Sequence, residues 1–232
     1  DDGKKLAISG DDKILIWDVD SQKTITTIQS PPGPIITVAF SPDGKKLVSG
    51  GGVGDFSIKL WDVKTGKLIR KLHTGKDGVV ILSFSPDGKR LLSFSSDNEA
   101  IIWEPASGKK LNTFSPEHES RAASLCFSPD GKLIVSAGGD KSIKFWDPAT
   151  GKLVRSIDSD RDSCLLTFSP DGKRIASASS DHSITLLDAL NGKEIKHFTG
   201  HQDWLQSLEF TPDGKNLVSA SGDGSIKVWD LN

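Results

Sequence analysis

Residues 41–62 read SPDGKKLVSGGGVGDFSIKLWD, and this one stretch decides the fold. Ser41-Pro42-Asp43-Gly44 has a polar first residue, a proline whose ring fixes φ at the second position and a glycine at the fourth, the chemistry of a type I turn. After it, Lys46 to Ser49 and Ser57 to Trp61 are short, apolar or alternating runs broken by glycines, which read as strands. Asp55 lies between them, and Trp61-Asp62 closes the stretch.

Working outward, the same text recurs. The turn returns at Ser85, Ser128 and Ser169 and as Thr211-Pro212-Asp213-Gly214, while Asp2-Gly3 looks like the tail of a further copy. Trp17-Asp18, Trp103-Glu104, Trp146-Asp147 and Trp229-Asp230 repeat the closing pair, and Leu187-Asp188 stands in for it once, at intervals of 41 to 44 residues. A short apolar run ending in Phe precedes each turn, as in Ile35 to Phe40, and a second hairpin signal such as Thr65-Gly66 follows each closing pair. That makes four strands per copy. A single four-stranded meander cannot bury both of its faces, so the copies must stack radially as blades. The expected fold is all-β, a β-propeller of four-stranded antiparallel blades. Its six copies fall at about 1–30, 31–74, 75–115, 116–158, 159–199 and 200–232.

The chain starts inside its first copy, which lacks the innermost strand, and stops before the outermost strand of the sixth. An open propeller leaves unpaired strand edges. Either the protein has a seventh or further blade, or another chain completes this one by adding a strand. The first residue is Asp1, with no methionine or apolar leader, so the expectation is a piece of a longer protein.

Composition narrows the function. The 232 residues are 35% hydrophobic and 26% charged, enough for one large core. With 29 basic and 31 acidic residues the net charge is −2, which argues against nucleic acid as a partner. No apolar run reaches the ~18 residues of a membrane-spanning helix. Cys126 and Cys164 have neither disulfide-framework nor metal-ligand spacing and read as buried, inert thiols, pointing to a reducing, cytoplasmic setting. The glycine groups 50–52 and 138–139 lack a following helix and read as turns rather than a phosphate cradle. His73, His182 and His197 share no spacing that would seat zinc. No catalytic residue, cofactor or metal is expected.

Five closing Trp-acid pairs, a mid-repeat Asp and a Gly-His before the inner strand together resemble the WD40 repeat family over essentially the whole chain. The resemblance implies a hydrogen-bonded cluster of His, Ser, Asp and Trp within a blade. The sixth copy carries it as His201, Ser219, Asp223 and Trp229, and the fourth as His118, Ser136, Asp140 and Trp146. The second keeps Ser49, Asp55 and Trp61 but has Pro31-Pro32-Gly33-Pro34 where the His belongs. The third keeps Ser93, Asp97 and Trp103 beside Gly75 or Lys76. The fifth keeps Asp181 but lacks both His and Trp, so its cluster cannot form and it is predicted to be the loosest blade.

The resemblance also implies that a protein or peptide partner binds the face formed by the loops before the inner strand and between the second and third strands. Family contact positions map onto Trp204, Gln206, Arg121, Ala123, Asp162, Ser180 and Ser96. Trp204 and Arg121 are the anchor types; Trp204 either covers the neighbouring blade or binds. Lysines concentrate on the hairpin-turn face. The opposite face collects Asp12, Asp97, Glu117, Glu119, Asp160, Asp162, Asp203 and Asp223, which favours a basic partner. The function implied is a non-catalytic scaffold or sensory module; the alternative is a regulatory propeller of a larger signalling NTPase or kinase.

Overall fold

In a computed structural model, the chain is described except at residues 1, 2, 11, 31, 32, 53, 74–76, 119–121, 160 and 232 and at the side chains of residues 73, 122 and 123. The described residues form strands, turns and bends, with no helix among them. β1 (Lys5–Ser9), β2 (Lys13–Asp18) and β3 (Lys23–Gln29) make the first sheet. β4 (Ile35–Phe40), β5 (Lys46–Gly51), β6 (Ser57–Asp62) and β7 (Leu68–His73) make the second. β8 (Val79–Phe84), β9 (Leu91–Ser95), β10 (Ala100–Glu104) and β11 (Lys109–Phe114) make the third. β12 (Ala122–Phe127), β13 (Ile134–Gly138), β14 (Ser142–Trp146) and β15 (Leu153–Asp158) make the fourth. β16 (Leu165–Phe168), β17 (Arg174–Ala178), β18 (Ile184–Asp188) and β19 (Glu194–Phe198) make the fifth. The sixth is β20 (Leu205–Phe210), β21 (Asn216–Ser221) and β22 (Ile226–Asp230). All six are antiparallel meanders, the blades of a propeller, and the first and sixth have three strands among the described residues. Asp1, Asp2 and Asn232, on which the reading of the chain ends relied, lie outside those residues.

The chain divides into two compact units, Asp1–Ser115 and Pro116–Asn232. Within the first, side chains alternate between the two faces of each strand, as the pleat requires. Leu47 and Trp61 turn back onto Ile14, Ile16 and Ile28 of the first sheet. Val48, Ile58 and Leu60 turn forward onto Val79, Leu82, Leu91 and Trp103 of the third. The second unit repeats the arrangement. Val135, Ile143 and Phe145 meet Leu166, Ile175 and Leu187, and Ala176, Ile184 and Leu186 meet Leu205, Leu208 and Leu217. Each such side chain contributes about 1.5–3 kcal/mol by leaving water, so the stacking of sheets supplies the core.

The turn motif works as its sequence predicts. Gly44 N–H donates to the Ser41 carbonyl (2.8 Å), Ser41 Oγ–H to Asp43 Oδ1 (2.6 Å) and Lys45 N–H to the same oxygen (3.1 Å). The serine hydroxyl, then the Lys45 amide, hold the Asp43 carboxyl below its usual range. The acid after each tryptophan has a parallel task, since Asp62 Oδ1 accepts from both the amide and the hydroxyl of Thr65, at 2.7 Å each. The pair Trp-Asp thus couples one core residue to one hairpin cap.

One device was hidden in the sequence. The last strand of a sheet sends a basic side chain to a carbonyl of the next: Arg70 to Ala106 (3.1 Å) in the first unit, and Arg155 to Leu190 (2.7 Å) and Lys196 to Asp230 (3.0 Å) in the second.

The glycine groups require a correction. Gly50 and Gly51 lie inside β5 and Gly138 ends β13, so they belong to strands and not to turns. Close packing is the reason. A Cβ on Gly50 would stand 2.9 Å from Thr37 and Val79, one on Gly51 would meet the Asp55 carbonyl, and one on Gly138 would meet the His118 ring at 2.8 Å.

Candidate interaction site

The fourth sheet assembles the full cluster. Trp146 Nε1–H donates to Ser136 Oγ (2.8 Å), Ser136 meets His118 Nε2 (2.8 Å) and His118 Nδ1 meets Asp140 Oδ1 (2.8 Å). Burial, set against Asp140 and assisted by Lys144, lowers the His118 pKa, so the imidazole is neutral. Neutral His satisfies every partner when Nδ1 carries the hydrogen. Nδ1–H then donates to the carboxylate and Nε2 accepts from the serine. The sixth sheet repeats it with Trp229, Ser219, His201 and Asp223 at 2.7–2.8 Å. These eight residues are committed to structure.

Elsewhere the cluster is remade with other groups. In the second sheet, Asp55 accepts from Lys59 Nζ (2.5 Å) and Ser57 Oγ (2.6 Å), and Lys59 itself is buried. A lysine has taken the place of the histidine; Pro31 and Pro32 lie outside the described residues. Trp61 still donates to Ser49 (2.9 Å) and Trp103 to Ser93 (2.8 Å); Gly75 and Lys76 of the third copy lie outside the described residues. In the fifth, Ser177 donates to Ser163 (2.8 Å), a two-hydroxyl remnant, while Asp181 is held by Ser183 Oγ (2.5 Å) and faces Arg161 (3.5 Å).

In the second unit, the predicted contact residues separate into those gathered around Trp204 and those elsewhere. Trp204 is 48% exposed. Its loop is anchored by its own amide on Asp203 Oδ1 (2.7 Å), by Gly222 N–H on its carbonyl (2.9 Å) and by Ser221 Oγ–H on the Asp203 carbonyl (2.9 Å). Gly222 is required there, because a Cβ would stand 2.7 Å from Asp203 Oδ2. One edge of the indole meets the His182 ring at 6.1 Å, 62° from parallel. Trp204 therefore touches its neighbour and also presents half its surface outward. Ser180 N–H donates to Asp162 Oδ1 (3.3 Å), and Gln206 lies exposed on β20.

Ser96 belongs to the first unit, where its amide and hydroxyl both point at the Gly78 carbonyl (3.0 and 3.3 Å). Arg121 and the side chain of Ala123 lie outside the described residues, as do Glu119 and Asp160 of the acidic face. Two further acids of that face are engaged internally, Asp97 by Ser95 Oγ (2.5 Å) and Asp223 by its cluster. Asp162 and Asp203 are the ones beside the contact residues.

Sequence reasoning missed His182 and Arg161. His182 follows the mid-repeat Asp and has φ +67°, as Asn98 (+67°), Lys141 (+60°) and Gly224 (+79°) do at the same place in their copies. That left-handed residue aims the side chain out of the hairpin, and the aligned copies carry the signal. Arg161 Nη1 lies 3.2–3.3 Å from the His197 ring nitrogens.

Both cysteines are free, and burial raises both thiols, Cys126 to about 12. Among the described residues no three His, Cys, Asp or Glu side chains gather as metal ligands.

The family model described as WD domain, G-beta repeat matches residues 22–62, 66–104, 108–147, 150–188 and 192–230. Each match runs from the last strand of one sheet through the first three of the next, which is why the repeat and the blade are offset. No curated protein matches the chain. Among solved structures, it is similar to a chain in the crystal structure of the mitotic checkpoint complex, at a TM-score of 0.87 and 26% identity, over 99% of this chain and 72% of that one. As many as 1840 solved chains match, so the likeness identifies a fold shared by many proteins and no particular partner.

Proposed function

The chain belongs to the WD40 repeat family, whose members are generally protein-interaction scaffolds, and from that premise we propose that it is a non-catalytic module holding a basic protein segment on the loops around Trp204. The observation that carries this reading is the half-exposed indole on a loop fixed by three hydrogen bonds. Trp is the residue type most often found as an energetic anchor, and a rigid loop loses little entropy on binding. Asp203 and Asp162 beside it favour lysine or arginine, whose cations also pack on an indole face.

The test uses short fluorescent peptides carrying paired lysine or arginine, with glutamate-bearing peptides as controls. Basic peptides are expected to bind, to lose about tenfold in affinity on Trp204→Ala and to weaken as salt rises. The melting temperature should stay put, because the exposed indole contributes under ~0.5 kcal/mol to folding. Equal binding of the acidic peptides, or a Trp204→Ala protein that unfolds, sinks the proposal.

A second reading is that another polypeptide completes the sixth sheet. Ile226 and Val228 of β22 are 74% and 65% exposed, whereas the matching pairs Ile184/Leu186 and Ile143/Phe145 are at most 1% exposed. A third strand of this kind is built to be covered.

A further inference from the structure

The strands that follow the Trp-acid strand share a pattern the turn motifs overshadow. In all five, a polar residue stands two places before an apolar one: Thr26 and Ile28, Arg70 and Leu72, Asn112 and Phe114, Arg155 and Ile157, Lys196 and Phe198. Strand pairing explains the spacing. The apolar member lies opposite Ile14, Ile58, Ala100, Ile143 or Ile184, and the polar member opposite Ile16, Leu60, Ile102, Phe145 or Leu186. Residues two apart share a face, so each pair lays one apolar and one polar side chain across the forward face of the third strand.

Where the polar member is long and basic, its stem covers that face while its head finds a carbonyl. Arg155 places its guanidinium 3.6 Å over the Phe145 ring as it bonds Leu190, and Lys196 spans Leu186 to reach the Asp230 carbonyl. A register shift just before the tryptophan position in each of these five pairings gives the basic residue room to do so.

β22 has the same third-strand text, Ser225-Ile226-Lys227-Val228-Trp229, and among the described residues no strand beside it except β21. We propose that β22 accepts an antiparallel strand of another polypeptide with the form Arg or Lys, any residue, then Ile, Leu or Phe. Its apolar residue pairs with Ile226 and its basic residue covers Val228. The inference rests on the strand-completion reading above and adds to it the partner's chemistry, register and direction. Main-chain bonds along the edge supply affinity and the two alternate side chains supply selectivity.

The probe is a fluorescent peptide copying residues 152–158, offered to the whole chain, with two altered peptides carrying aspartate at the position of Ile157 or glutamate at that of Arg155. The parent peptide is expected to bind and to slow amide exchange along β22. Each alteration, and Ile226→Asp in the protein, should lower affinity about tenfold or more; Trp204→Ala should leave it unchanged. Protection of β22 with all three peptides binding equally overturns the inference and leaves strand completion standing. No protection of β22 overturns both, and binding lost on Trp204→Ala but kept with Ile226→Asp moves the peptide to the loops and overturns the inference.

Discussion

The fourth and fifth sheets are built from the same repeated text, are both four-stranded and lie in the same unit, yet they hold themselves together differently. The fourth closes a chain of hydrogen bonds from Trp146 through Ser136 and His118 to Asp140. The fifth keeps only the bond between Ser177 and Ser163, with Leu187 where the indole belongs. Leu187 is nevertheless buried, at 4% exposed against 3% for Trp146. A cavity of about 70 Å3 remains beside it, lined by Asp158, Ser159, Arg161, Thr185, Leu187 and Glu194. The polar half of the cluster is therefore dispensable to the fold, while the apolar seam between sheets is kept.

The largest effect should come from converting the fourth sheet into the fifth. Trp146→Leu removes a buried aromatic and leaves a void, at a cost of ~3 kcal/mol in chemical denaturation; a cost under ~1 kcal/mol would mean the indole is as dispensable as the histidine. Ser136→Ala keeps the indole but strands a buried N–H and an imidazole nitrogen, so ~2 kcal/mol is expected in the same measurement.

Amide exchange compares the two sheets directly. β17 and β18 should exchange about tenfold faster than β13 and β14, the equivalent of ~1.4 kcal/mol in local opening. Equal rates would show that the sheet stacking alone sets protection. Leu187→Trp sharpens the point in the other direction. If the indole enters the cavity and its N–H reaches Ser177, the melting temperature rises by the equivalent of ~1 kcal/mol. A fall would show the fifth sheet has repacked around leucine.

The smallest effect is in pH. His118 has a folded pKa below its unfolded value of 6.5, because burial disfavours the imidazolium. The unfolded chain then takes up the proton first, so the stability from the neutral ring is whole above pH 6.5 and declines as the pH falls towards the folded pKa. The second sheet gives the contrast. Burial alone would raise Asp55, but the Lys59 and Ser57 hydrogen bonds hold its carboxyl far below the usual range, so its contribution is whole above 3.8 and is lost only below that. Between pH 6.5 and 4, exchange should quicken in β12–β15 and stay level in β4–β7. Parallel changes in both would remove the distinction between a histidine-held and a lysine-held aspartate.

How much of this was legible depends on the range of the interaction. The turns, the strand count, the blade boundaries and both complete clusters follow from residues within one copy, because a Ser-Pro-Asp-Gly turn or a Trp-Asp hairpin cap is satisfied within a few positions of itself. The incomplete clusters were legible only as losses. That Lys59 would occupy the place of a histidine, or that Ser163 would meet Ser177, depends on side chains brought together from separate strands.

The candidate site divides the same way. Trp204, Asp162 and Ser180 could be picked out by their place in the repeat, and Asp203 was visible as one of several acids. Which of those acids face outward was decided by tertiary structure, because Asp97 and Asp223 are drawn into bonds of their own loops while Asp203 and Asp162 stand beside the contact residues. The glycines of β5 show the limit most clearly. Sequence alone reads Gly50-Gly51 as a turn, because local preference is all it records; packing made them strand residues, because neighbouring side chains and a backbone carbonyl occupy the space a Cβ would need. By itself the sequence determined a repeating all-β unit, its turns and its apolar faces. Only the tertiary structure decided which polar groups are consumed in holding those units together and which are left to meet a partner, since that depends on distances between strands that are far apart in the chain.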